Sequence, residues 1–134
     1  MKNAEVCYLG SLRTEALHIS SGNKIVTDAP IDNNGKGEAF SPTDLLATSL
    51  GSCMLTIMGI IAECHNINIV NAKVEIIKII ESNPRRVVEI KVDIEMPKND
   101  FTDKEKQLLE HAARNCPVAK SLHPDLKQTV VFNY

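Results

Sequence analysis

Between Arg85 and Met96 the apolar residues Val88, Ile90, Val92, Ile94 and Met96 alternate with Glu89, Lys91, Asp93 and Glu95. A period of two with one charged side predicts a strand with one face in a core and one in water. Ile69–Glu81 is its expected neighbour, and Ser82-Asn83-Pro84 the turn between them, so the pair reads as a β-hairpin. Upstream, Val6–Leu9, Leu12–Ile19 and Lys24–Thr27 are short β-capable runs separated by the turn signals Leu9-Gly10-Ser11 and Ser21-Gly22-Asn23. Pro30 through Gly37 reads as a loop, with Gly35 and Gly37 free to adopt positive φ or to let backbone approach closely.

The pattern then switches to helical spacing. Ser41 is a good N-cap, Pro42 suits the first turn, and Asp44 places an acid at N3. Leu46, Leu50, Cys53, Ile57, Ile60, Ile61 and Cys64 follow, and no charge occurs from Leu45 to Ala62. The run is nearly long enough for a membrane span. Its polar residues Thr48, Ser49, Ser52 and Thr56, its two glycines, and the lack of flanking Lys or Arg argue instead for the central helix of a core, or of a core shared by two chains. Thr102-Asp103-Lys104-Glu105 forms a capping box opening a second helix, with Leu108, Leu109, Ala112 and Ala113 on its apolar side. It is expected to stop near Cys116, before Pro117, which starts a short turn through Leu122. Thr129–Phe132 is a terminal strand. Strands, long helix, hairpin, helices and strand, in that order, predict an α+β fold.

Composition narrows the function classes. The chain has 134 residues, of which 43% are hydrophobic and 24% charged, with net charge −2. One domain over residues 1–134 is expected, since a chain of this length buries roughly two-thirds of its unfolded surface. The charge balance argues against a strong nonspecific hold on nucleic acid. Nothing after Met1-Lys2-Asn3 resembles a signal peptide, so a cytoplasmic location and no membrane association are expected.

Four cysteines are widely spaced, at positions 7, 53, 64 and 116, and no Cys-x-x-Cys or His-x-x-x-His pair suggests a metal. Cys7 reads as core or edge filler. Cys64 is eleven residues beyond Cys53, roughly 16 Å along a helix, too far for a disulfide. Cys53 lies about three turns from the helix start, beyond the reach of the dipole, so a stabilised thiolate there needs a cation from another segment. Cys116 precedes Pro117 at the expected N-cap of the short turn, where the Val118 and Ala119 N–H groups would lower its pKa. Cys53 can also be read as a buried, inert residue, and Cys116 as a small residue filling a tight corner.

Phe40-Ser41-Pro42-Thr43-Asp44-Leu45-Leu46-Ala47 running into Leu50-Gly51-Ser52-Cys53 resembles the central helix of the OsmC/Ohr family, the osmotically inducible and organic hydroperoxide resistance group. Asn115-Cys116-Pro117-Val118-Ala119-Lys120-Ser121-Leu122 is similar to its second cysteine motif, in the family order. The resemblance covers essentially the whole chain. It implies an intertwined homodimer with sites at the interface. It also implies a thiol-dependent peroxidase for organic hydroperoxides, with Cys53 peroxidatic, Cys116 resolving, an external dithiol as reductant, and no metal, haem or other cofactor. Leu46, Leu50, Met54, Ile57 and Met58 would line an apolar mouth for an alkyl tail, or simply form core. Peroxidases of this group use an Arg held by a Glu near the start of the cysteine helix. Here Thr43 stands where that Glu is expected, with Asp44 one residue later and suited equally to capping. Arg13 is the candidate cation, with Lys24 and Lys36 as alternatives. Glu38 is a group that could orient it, and Arg114 and Lys120 flank Cys116. The alternative is a non-catalytic protein that senses redox state or binds an apolar ligand; thiol–disulfide exchange on small disulfides is a third reading.

Overall fold

The computed structural model describes all residues, Met1–Tyr134. Its elements are β1 (Ala4–Gly10), β2 (Arg13–His18), β3 (Lys24–Asp28), a 3-10 turn (Ile31–Asn33), α1 (Pro42–Cys64), β4 (Lys73–Glu81), β5 (Arg86–Glu95), α2 (Asp103–Arg114), α3 (Pro117–Ser121) and β6 (Lys127–Asn133). The fold is α+β, with two three-stranded sheets and one long helix. The chain forms two compact units, Met1–Leu46 and Ala47–Tyr134.

The first unit is an antiparallel meander in the order β1-β2-β3. Val6 pairs with Ala16 and Ala16 with Ile25, while Tyr8 pairs with Thr14 and Thr14 with Thr27. Strand alternation puts these residues on one face, where the apolar Val6, Tyr8, Ala16 and Ile25 adjoin the hydrogen-bonded pair Thr14 and Thr27. The other face carries Glu15, Lys24, Arg13 and Asp28, with Lys24 Nζ 3.4 Å from Glu15. Cys7 lies exposed on the edge strand β1 and fills no core. In the loop that follows, Gly37 has φ +63°, as expected of glycine. Gly35 is required for a different reason: a Cβ there would stand 1.7 Å from the Ala29 carbonyl oxygen. The unit ends on the start of α1. The Ser41 hydroxyl accepts from the Asp44 N–H at 3.0 Å, and the Asp44 carboxylate accepts from the Ser41 N–H at 2.9 Å. This reciprocal cap fixes where the helix begins.

The second unit is built around the rest of α1. Ala47, Leu50, Gly51, Met54, Met58 and Ala62 form one buried stripe and meet Ile90, Val92 and Ile94 of β5 in a single core. Leu50, Met54 and Met58 are thus core residues and do not line a mouth; Ile57 packs half-buried against that core. By length and composition α1 would suffice to cross a membrane, but its buried stripe belongs to this core. The charged side of β5 stays in water, as its alternation requires. β4 begins at Lys73 rather than Ile69, because Val70 N–H donates to the Asn68 side chain at 2.9 Å and Asn71 adopts φ +74°. Those are turn interactions that exclude a ladder. The expected capping box opens α2: Glu105 N–H donates to Thr102 Oγ1 at 3.1 Å and Thr102 N–H to Glu105 at 2.9 Å. α2 and α3 together make the crossover that lets β6 lie parallel to β5.

Candidate functional site

Cys53 and Cys116 come together within the second unit. Cys53 is on α1, one helical turn after Leu50 and at the margin of the buried stripe, so its side chain is half-buried and packs against the core. Cys116 lies at the junction of α2 and α3 and is itself a core residue, 0% exposed. It is the N-cap of α3, with Pro117 at the first helical position, and the Ala119 N–H donates to its Sγ at 3.4 Å. Both thiols are free.

The electrostatics of Cys116 follow from this position. Burial is the dominant influence and pushes its thiol up. The Ala119 N–H, with a smaller contribution from Val118, opposes that. The neighbouring Cys53 adds to the upward shift, being close enough to interact with the Cys116 sulfur by hydrogen bonding and by charge. The expectation of a lowered pKa at this N-cap is therefore corrected. The two N–H groups are where the sequence places them, but loss of water outweighs them.

Around the pair, β6 braces the α2–α3 corner at two points. The Arg114 guanidinium stacks over the Phe132 ring, 5.3 Å from its centroid. Gln128 Nε2 donates to the Ala119 carbonyl at 3.0 Å. Arg114 is thus held against an aromatic ring. Lys120 lies exposed in the last turn of α3.

The other candidates gather separately, in the first unit. Arg13 Nε donates to Asp28 Oδ1 and its Nη2 to Asp28 Oδ2, both at 2.8 Å. This two-pronged pairing fixes the plane of the guanidinium. Glu38 adds a looser contact, Oε1 lying 3.8 Å from Arg13 Nη2, and its backbone N–H donates to Asp28 Oδ2 at 3.0 Å. Asp28 is only 1% exposed, and its hydrogen bonds from Arg13 hold its carboxyl below the ordinary range. The same carboxylate holds the Arg13 guanidinium above its usual value. Asp28 is a residue the sequence reading passed over. A signal was available: counting outward from the turn at Ser20-Ser21 places position 13 opposite position 28, an Arg–Asp cross-strand pair. Lys36 contributes charge to the same carboxylate, and Lys24 is paired with Glu15. Asp44 serves the helix cap described above.

A half-buried thiol beside a buried one, joined by thiol–thiol interaction, defines a potential dithiol/disulfide couple. The model of the OsmC-like protein family matches residues 35–130, which include both cysteine motifs. The chain belongs to the OsmC-like family. It is 50% identical to a candidate osmotic stress induced and detoxification response protein of Psychrobacter arcticus, covering 99% of this chain and 96% of that one with a TM-score of 0.96. An organic hydroperoxide resistance protein OsmC of Legionella pneumophila shares the fold at 13% identity, over 98% of this chain and 95% of that one, TM-score 0.77. A candidate organic hydroperoxide resistance protein of Vibrio cholerae does so at 15% identity, over 99% and 92%, TM-score 0.75. Among curated proteins none gives a significant match.

Proposed function

We propose that this protein is a thiol-dependent peroxidase that reduces organic hydroperoxides, with Cys53 as the peroxidatic and Cys116 as the resolving cysteine. The observation that carries this is the meeting of two sulfurs 63 positions apart in sequence, one half-buried and one buried. Exposure decides the order. A nucleophile must be reached by its substrate and must be a thiolate. Cys116 is sealed in the core with its thiol pushed up, which suits the second step and not the first.

The Cys53 thiolate attacks the terminal oxygen of R–O–OH. The S–O bond forms as the O–O bond breaks, the alkoxide leaves and takes a proton as ROH, and the sulfur is oxidised by two electrons to the sulfenic acid. The Cys116 sulfur then displaces hydroxide from that sulfur. A disulfide forms, and the hydroxide leaves with the thiol proton as water. An external dithiol returns two electrons and two protons and is itself oxidised to its disulfide. The working assembly is a homodimer with two sites at its interface, located in the cytoplasm. Arg13 is assigned as the activating cation. Its support is the two-pronged hold of Asp28, assisted by Glu38, which presents the guanidinium in one orientation.

The test is steady-state consumption of an alkyl hydroperoxide with a lipoyl-type dithiol, run for the parent, Cys53→Ser, Cys116→Ser and Arg13→Met. Turnover is expected in the parent alone, with at least a hundredfold loss in Arg13→Met, a size typical of removing one preorganised charge. A fatty-acyl hydroperoxide should outcompete hydrogen peroxide. If stoichiometric peroxide leaves both thiols free by mass spectrometry, the reading fails.

A further inference from the structure

We infer that Gln128 is a positioning residue for Cys116, a role that rests on the proposed pairing of Cys53 and Cys116. α3 has five residues, Pro117–Ser121, so the Ala119 carbonyl has no residue four places on within its own helix to donate to it. The Gln128 side chain, reaching across from β6, supplies that donor at 3.0 Å. Residue 119 is the same one whose N–H donates to the Cys116 sulfur at 3.4 Å. Gln128 therefore anchors the residue whose backbone N–H donates to the sulfur at 3.4 Å. The anchor lies on the sheet rather than on the short helix, which is too small to hold its own geometry.

The consequence falls on the second chemical step. Closure of the disulfide needs the Cys116 sulfur to attack the Cys53 sulfenic sulfur, forming S–S as hydroxide leaves with the thiol proton. Two things help: thiolate character at Cys116, which the Ala119 N–H favours against burial, and a fixed approach to Cys53. Loosening residue 119 weakens both. The first step, attack of Cys53 on peroxide, uses neither, so Gln128 separates the two half-reactions.

Gln128 is half-buried on β6, where it pairs with Ile90 of β5. Two variants remove its donor: Gln128→Leu, and Gln128→Glu, which preserves length and shape. In each, rapid-mixing experiments with cumene hydroperoxide should show the Cys53 sulfenic acid forming at the parental rate and the disulfide closing about fivefold more slowly, the factor one neutral hydrogen bond supports. In a Cys53→Ser background, the pH at which iodoacetamide alkylates Cys116 should move upward in both variants. A merely structural role would lower the melting temperature and leave the alkylation profile and the closure rate unchanged, and that result would overturn the inference. If Gln128→Leu does not fold, Gln128→Glu with the same two readouts decides. Absence of any disulfide in the parent sinks the redox pairing itself, while the alkylation profile still reports on Gln128 alone.

Discussion

Arg13 and Asp28 meet through two hydrogen bonds of 2.8 Å with the carboxylate almost fully enclosed. A charge in that setting is tolerable only while its partner is present. The carboxyl of Asp28 is held low chiefly by the Arg13 hydrogen bonds, so the pair contributes stability with a defined pH window. The contribution is complete above the unfolded pKa, about 3.9, and disappears as pH falls through the lower folded value. Asp28→Asn removes it. Urea midpoints of parent and variant should differ most at pH 6 and converge as pH falls through the lowered carboxyl value; a gap that stays constant as pH falls would contradict the assignment. At this scale the sequence displayed the thiols plainly, because Cys53 and Cys116 sit inside local motifs. Glu38 was visible as a nearby acid, but the group that orients Arg13 is Asp28. That partnership depends on strand register, which the notice of single residues does not reveal. The direction of the Cys116 shift was equally hidden, since burial comes from β5, β6 and α1 packing around it and not from its neighbours in the chain.

Elements were readable wherever their causes are local. The Ser41–Asp44 and Thr102–Glu105 caps set two helix starts, and the alternation in β5 gave its wet and dry sides. Where causes are distant, the pattern was silent. β6 reads as a strand from Thr129–Phe132, yet nothing there says that it lies parallel to β5 with Gln128 beside Ile90. Likewise the apolar positions at 69 and 70 extend the β4 pattern backwards, while the Asn68 and Asn71 turn stops it. Gly51 shows the same dependence on distant neighbours. It looks like a flaw in a helix, costing about 1 kcal/mol against alanine. In the fold, a Cβ at Gly51 would lie 2.7 Å from Ile76 Cδ1 and 3.0 Å from Val74 Cγ1, so α1 and β4 touch through the space the missing side chain leaves. Gly51→Val should therefore destabilise by about 2 kcal/mol through overpacking, despite its better helix propensity. A denaturant midpoint that is unchanged, with m unchanged, would show that β4 yields more easily than the geometry indicates.

At the scale of the whole molecule, a single chain leaves apolar side chains uncovered on both units. On the first sheet Val6, Tyr8 and Ile25 share one face, all three exposed. Along α1, Leu46, Ser49, Ser52, Thr56 and Ile60 are only partly covered, and no charge interrupts that side from Leu45 to Ala62. Each exposed apolar side chain is unfavourable in water by about 25 cal/mol per square ångström of apolar surface. A second copy of the chain, as proposed above, is an occupant with matching uncharged surface. Ile60 is 52% exposed on this side of α1, so its substitution tests the association. By sedimentation equilibrium the parent should run at twice its 14.8 kDa chain mass. Ile60→Glu should raise the dissociation constant roughly a hundredfold, the effect of burying one unpaired charge. Both sulfurs belong to one chain, so the monomeric variant should still form the Cys53–Cys116 disulfide under diamide, and non-reducing electrophoresis should show no covalent dimer. A parent that sediments as a monomer at micromolar concentration would refute the assembly.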